Sequence, residues 1–307
     1  NRVRNQLRAG NSDRAKTLLL TLHKTKPENL EALTGLAQLA ARQGQAKQLE
    51  DYLNKILAIK ADHAYAVSQM SELLIRRNQP LKALTLIAAA GDQVQQNPML
   101  LRLQGMAQIS SRQTSSAIAT FERLLRLLPG NIEANYQMGR AYLLNNELDK
   151  ASRYFEQAMA EDANIKIPVL WVARGDVAIR QKDYDKALEL STRLLDAKHE
   201  IAPVYELRAM ALRGQGKLQD VAPLLKQAYY LQPTQLRARA LAAFYHAQQQ
   251  IPKAVETLRE WLGNHPEDAD LQAFLGTLLM QNAQTAEAIV AYEKVLELQP
   301  DNTVVMN

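Results

Sequence analysis

The chain has 307 residues, no cysteine, a hydrophobic content of 47% with only 6% aromatic residues, and a formal net charge of +5. Without cysteine there is neither a disulfide framework nor thiol chemistry, and no apolar run approaches the roughly 18 residues expected of a membrane span. The charge is uneven: residues 1–60 carry eleven Lys/Arg against five Asp/Glu, whereas residues 261–307 carry Lys294 alone against seven acids. Such a dipole suits head-to-tail association or a partner aligned by the field, but a compositional drift of solvated faces is the simpler reading.

Arg2 to Gly10 reads as the end of a helix, Gly10-Asn11-Ser12-Asp13 as a turn and Arg14 to Lys24 as the packing partner. A helical pair follows from Leu30 to about Asp62, turning at Gly44, and another from Ala64 to about Gln96, turning at Asn78-Gln79-Pro80. Pro80 fits the first turn of a helix, where its missing N–H would have no partner anyway. The next pair starts at Pro98, with its second helix near Ser115. The stretch Gly139 to Ala163 shows the common spacing most plainly. Gly139 and Tyr142 share a face before the turn Asn145-Asn146-Glu147, and Ala151, Phe155 and Ala158 then follow the i, i+4, i+7 rule that puts side chains on one stripe.

Two surplus residues then fall in Asn164-Ile165-Lys166-Ile167-Pro168, which marks 163–168 as a bend or subdomain seam between 1–163 and 168–307 of a single array. Further on, Gly214-Gln215-Gly216 is a turn, and Pro223 implies a helix that starts late with Asp220 as its cap. Pro252 lies near another helix start, and Trp261 takes a position that is small elsewhere, so its neighbours must make room for an indole. After a regular pair from Ala269 to Pro300, Thr303-Val304-Val305-Met306 reads as the entry to one more helix. Neither end carries the polar capping helix with which stacked repeats finish, and Asn1 stands where a start methionine would. The chain is therefore expected to be part of a longer protein.

Aligned by the small residue of each second helix, the chain steps through Ala15, Leu49, Ala83, Ala117, Ala151, Ala187, Val221, Ala254 and Ala288. The steps are 34 residues throughout except one of 36 and one of 33. Twelve residues beyond each of these lies a turn, at Pro27, Ala61, Gln95, Pro129, Ala163, His199, Pro233, Pro266 and Pro300. Gly105, Gly139, Gly175 and Gly276 occupy the small first-helix position, and Phe121, Phe155 and Tyr292 the second-helix aromatic, with Trp171 and Tyr205 near first-helix starts. This pattern resembles the tetratricopeptide (TPR) repeat family. The resemblance implies an all-α fold, a right-handed TPR superhelix of about eight full repeats plus partial repeats at both ends. Leu49, Val221 and Ala242 depart from the family residues, so those repeats are expected to pack slightly wider.

Catalysis needs convergent titratable groups, and the pattern offers none. His23, His63, His199 and His265 lie at or beside inter-repeat turns, His246 lies within a helix, and no metal-ligand spacing links them. Arg174-Gly175-Asp176 falls within a helix at the packing position rather than on an adhesion loop. The N-terminal basic excess is spread around its helices, which argues against a nucleic-acid stripe. The chain is thus expected to be no enzyme and to need no cofactor or metal, with no nucleic-acid partner and no membrane insertion of its own.

In the TPR arrangement positions 2, 5, 9 and 12 of each first helix line a concave groove. The resemblance therefore implies a partner site at Met99, Arg102, Met106 and Ile109, then Glu133, Tyr136, Arg140 and Leu143, then Val169, Val172, Asp176 and Ile179. Flexible Met and amphipathic Tyr suit an adaptable site for a peptide or partner helix, with Arg102 and Arg140 placed to take a carboxylate. The expected function is a protein-binding scaffold. The long cysteine-free basic array and the ending Leu-Gln-Pro-Asp-Asn-Thr-Val-Val are also similar to bacterial TPR proteins of exopolysaccharide export and exosortase/PEP-CTERM sorting. That likeness implies a periplasmic or membrane-associated protein with a leader upstream. The alternatives are a cytoplasmic location and a regulatory arm of an enzyme whose catalytic domain lies elsewhere.

Overall fold

The computed structural model describes residues 12–92 and 96–301, and its regular elements are 17 α-helices and one short 3-10 turn. The expectations for Arg2–Gly10, Gln95 and Thr303–Met306 lie outside the described residues. The chain forms two compact units, Asn1–Glu161 and Asp162–Asn307. In the first are α1 (Ser12–Thr25), α2 (Leu30–Arg42), α3 (Ala46–Ile59), α4 (Ala64–Arg76), α5 (Pro80–Ala89), α6 (Pro98–Ser110), α7 (Thr114–Leu127), α8 (Ile132–Leu144) and α9 (Leu148–Glu161). The second holds α10 (Pro168–Arg180), α11 (Tyr184–Asp196), α12 (Ala202–Gly214), α13 (Val221–Leu231), α14 (Gln235–Ala247), α15 (Ile251–Asn264), α16 (Ala269–Gln281) and α17 (Thr285–Leu298). Within each unit a helix packs on its hairpin partner and on the adjacent hairpin, the neighbour-only contact pattern of an α-solenoid. Helix α1 begins at Ser12, so Ser12 and Asp13 belong to the helix rather than to the turn expected there.

The period is written into the ends of the helices. Asn29, Asn97, Asn131, Thr234 and Asp268 each accept a backbone N–H from the first turn of α2, α6, α8, α14 and α16, which satisfies an otherwise orphan donor for about 1 kcal/mol each. Where the step is 36 residues, Ile167 precedes α10 without a side-chain cap, and Pro168 opens the helix instead. Inside each hairpin the turn residue is left-handed: Gly44, Asn78, Arg112, Asn146, Lys182, Gly216, Gln249 and Ala283 all have φ between 57° and 78°. The next N–H then reaches back to a carbonyl of the finished helix, as in Glu147 N to Tyr142 O at 2.9 Å and Gln284 N to Leu279 O at 2.9 Å, closing a Schellman turn.

The core is a ladder of small residues and large ones. Ala15, Ala83, Ala117, Ala151, Ala187, Ala254 and Ala288 are fully buried, while Leu49 is only half-buried. A Cβ placed on Gly139 would lie 2.6 Å from the Phe155 ring, and one on Gly276 would lie 2.6 Å from Tyr292. Only glycine therefore lets those rings come so close to the first helix. Gly105 serves Phe121 in the same way. Gly175 differs: the side chain that fills its space is Leu207 of α12, because the second-helix position there is Ser191.

The lengthened turn after α9 is closed by Asp162, whose carboxylate accepts Lys166 N at 2.9 Å, Ile167 N at 3.0 Å and the Trp171 indole N–H at 3.2 Å. His199 Nε2 meets Ile165 O at 2.6 Å, and the Arg193 guanidinium lies 4.5 Å from the Trp171 ring centroid. Helix α13 starts late, at Val221, with Pro223 in its first turn. The Asp220 side chain makes no capping bond, however, and the preceding 3-10 turn Leu218–Asp220 takes that place. Trp261 is accommodated by donating its indole N–H to Asp268 Oδ2 at 2.8 Å and stacking on His265 with ring centroids 3.9 Å apart.

Candidate functional site

In the second unit the first helices α10, α12 and α14, with α13 and the 3-10 turn at one side, enclose an open groove of about 600 Å³. Val172 and Asp176 come from α10, Pro203, Glu206, Met210 and Arg213 from α12, and Leu236, Ala240, Ala243 and Ala247 from α14. The α12 residues are positions 2, 5, 9 and 12 of their helix. The rule applied above to three repeats thus selects the groove lining in the next one, and extending it along the period was the signal that finds them. On α14 the four residues at 236, 240, 243 and 247 form one stripe, with Leu236 75% exposed.

Two acids stand in this apolar lining. Burial pushes the Asp176 carboxyl up to about 6, with Arg180 opposing the shift and Glu206 adding to it. Glu206 is held in a bidentate pair with Arg237, at 2.8 and 3.1 Å. Of the other two candidates of α10, Val169 is exposed and outside the groove lining, and Ile179 packs against Ala178, Ala187, Leu207 and Ala211. The tripeptide Arg174-Gly175-Asp176 lies inside α10 with Arg174 buried.

In the first unit the structure brings Met99, Arg102 and Met106 together: the guanidinium of Arg102 lies 3.3 Å from the Met99 sulfur and 3.2 Å from that of Met106. Ile109, at the last of the four positions, is 93% buried and belongs to the core. On α8, Tyr136 lies 5.8 Å from the Phe155 ring and carries Arg140 at 5.9 Å. Arg140 donates to Gln137 Oε1 at 2.9 Å, and Gln137 donates to Glu133 Oε1 at 2.7 Å. Leu143 is half-buried.

Among the described residues no three His, Cys, Asp or Glu side chains converge as metal ligands, and no helix is long and apolar enough to cross a membrane. The histidines have structural surroundings. His63 accepts the N–H of Ala66 at the start of α4, His23 packs edge-on to Tyr52, and His246 meets Gln281 at 2.8 Å.

Parts of this chain are similar to known proteins. The BBSome complex member BBS4 homolog of Drosophila melanogaster is 25% identical over 184 residues, which cover 60% of this chain and 38% of that protein. Among solved structures, the type IV pilus biogenesis factor PilW has a TM-score of 0.58 at 17% identity, over 67% of this chain and 94% of its own. A tetratricopeptide repeat protein from Parabacteroides merdae has a TM-score of 0.56 at 15% identity, over 78% and 94%. These structural likenesses show a shared fold. Sequence profiles described as tetratricopeptide repeat match residues 1–64, 108–168, 212–278 and 269–302. With the helical hairpins, their 34-residue period and these matches all in agreement, the chain belongs to the tetratricopeptide repeat family.

Proposed function

We propose that the protein is a non-catalytic scaffold that holds a partner helix, or an extended peptide, along its first-helix faces, with the groove of α10, α12 and α14 as the main seat. One observation supports this most: the groove joins exposed Leu236 to the alanines Ala240, Ala243 and Ala247. Small side chains in a row let a partner backbone come close, and Leu236, Met210 and Val172 supply apolar contact on either side. Asp176, whose neighbour Glu206 is already paired with Arg237, adds a polar point that favours a partner with a basic residue near its apolar stripe. The α6 and α8 surface, with Met99, Arg102, Met106, Tyr136, Arg140 and Leu143, offers a second seat of similar character in the first unit. We place this scaffold in bacterial envelope assembly, such as exopolysaccharide export or surface-protein sorting, on the resemblance of the sequence to such proteins.

Selection of short peptides from a displayed library against the whole protein tests the reading. Peptides with an amphipathic apolar stripe are expected to bind, and Met210→Glu with Ala243→Glu should weaken them by about tenfold or more, roughly 1.4 kcal/mol. Both sites are on the groove surface, so circular dichroism should show the helices intact. Undiminished binding by that folded variant, and by one carrying Met106→Glu and Leu143→Glu, would remove both first-helix faces as the seat.

A further inference from the structure

Away from the groove, α13, α14 and α15 enclose a second cavity of about 250 Å³ whose walls include Tyr229, Tyr230 and Tyr245. On α14, Tyr245 and Leu241 lie nearly opposite the Leu236 stripe, so this cavity is separate from the groove. Two carboxylates one helical turn apart on α15, Glu256 and Glu260, stand at its edge together with Lys226 and Lys253. The lysines are not paired with these acids. Lys226 Nζ lies 5.5 Å from the Tyr230 ring centroid, and Lys253 Nζ lies 5.7 Å from that of Tyr245 and donates to Gln250 at 2.9 Å. Glu260 accepts only a long 3.4 Å bond from the Tyr230 hydroxyl, and Glu256 has no hydrogen bond or ion pair among the described residues. Tyr229 lines the cavity with most of its side chain buried, and its hydroxyl, which makes no hydrogen bond among the described residues, is open to the solvent that fills the cavity.

Aromatic faces beside carboxylates that have no direct ion pair attract cations, and a planar guanidinium, unlike the two lysines already at the edge, both stacks on rings and takes two carboxylate bonds. The volume is below that of ordinary small-molecule sites, which run from about 300 Å³, and suits a single long side chain. We propose that this cavity receives the guanidinium of an arginine from a partner protein, stacked among the tyrosines and paired with Glu256 and Glu260. Burial, with the Glu260 charge and Tyr230 adding, raises the Tyr229 phenol above its ordinary range. It therefore stays neutral and presents an oxygen that can accept a guanidinium N–H. Lys226 and Lys253 hold the ring faces until the arginine arrives and then swing to solvent.

The test uses the whole protein with ¹³C-labelled tyrosine rings, titrated with N-acetyl-arginine amide, its neutral citrulline counterpart and choline. The arginine probe should shift the Tyr229 and Tyr245 ring resonances saturably, and the citrulline probe should not. Glu256→Gln with Glu260→Gln should weaken the arginine probe about tenfold. Lys226→Gln with Lys253→Gln, which removes the competing cations, should tighten it. All four positions are at the cavity edge, and unchanged thermal unfolding checks the fold. Stronger binding by choline than by arginine would make the site one for free quaternary ammonium ions and overturn the partner assignment. Weaker arginine binding on loss of the lysines, equal binding of citrulline, or no saturable shift up to roughly 0.1 M, where even a millimolar site fills, would overturn the cation site itself.

Discussion

Asp176 is the residue at which packing and chemistry meet. Its carboxyl sits beside Glu206 in a lining that is otherwise largely apolar, and burial holds its folded pKa at about 6 against an ordinary 3.8. Between those values the native state keeps a proton that the unfolded chain gives up, so native stability falls as pH rises from about 4 through 6. A shift of this size corresponds to on the order of 2–3 kcal/mol of penalty that is fully expressed by neutral pH. Asp176→Asn removes the ionisation while keeping the shape. Urea unfolding should therefore show the variant gaining on the native protein by about that amount near pH 7 and by much less near pH 4. The same gap at both pH values would mean that the carboxylate is well solvated in the folded protein.

The hairpin carries most of what was legible in the sequence. A residue every 34 positions at Ala151 and its equivalents identifies the buried stripe because a repeated helix pair can bury only one face. Gly139 facing Phe155 follows from the same register. Less legible was the place where one repeat borrows from the next, Leu207 filling the space over Gly175, and so was the burial of Ile109, whose helical position is exposed in other repeats, as at Arg213 and Met280. The Asp162 closure was hidden because its three donors depend on the path of a lengthened turn. Of the groove lining, Val172 and Asp176 fall within the three repeats to which the positional rule was applied, and the α12 and α14 residues fall in the next two. The turns show how loosely sequence is tied to geometry: eight hairpins use a left-handed residue, and only Gly44 and Gly216 are glycine. An alanine at φ 58°, as at Ala283, carries a Cβ penalty of roughly 1–2 kcal/mol, partly offset in a glycine variant by unfolded-state entropy. Ala283→Gly should thus stabilise the α16–α17 hairpin by about 1 kcal/mol, read as slower amide exchange in those helices. Gly216→Ala should destabilise the α12–α13 turn by a similar amount. An unchanged or faster exchange rate in Ala283→Gly would show that the left-handed turn is not where strain resides.

Across the whole molecule, stability should be distributed as it is in a chain of nearest neighbours. Within each unit helices touch the hairpins beside them, and the Leu33 cluster near α2 to α5 in the first unit shares no residue with the Trp261 cluster of α13 to α17 in the second. In such an array the free energy is nearly a sum of repeat and interface contributions, so damage decays with distance along the chain instead of lowering one global barrier. Leu33 is fully buried between α2 and its neighbours, and truncating such a leucine costs about 2–5 kcal/mol. Leu33→Ala should accelerate amide hydrogen exchange in α2 to α5 by one to several orders of magnitude, a tenfold change for each 1.4 kcal/mol. Protection in α14 to α17 should remain that of the native protein under the same conditions. A matching loss at both ends would mean that the repeats unfold as one cooperative body, and that neighbour-only contact does not govern how this chain holds its fold.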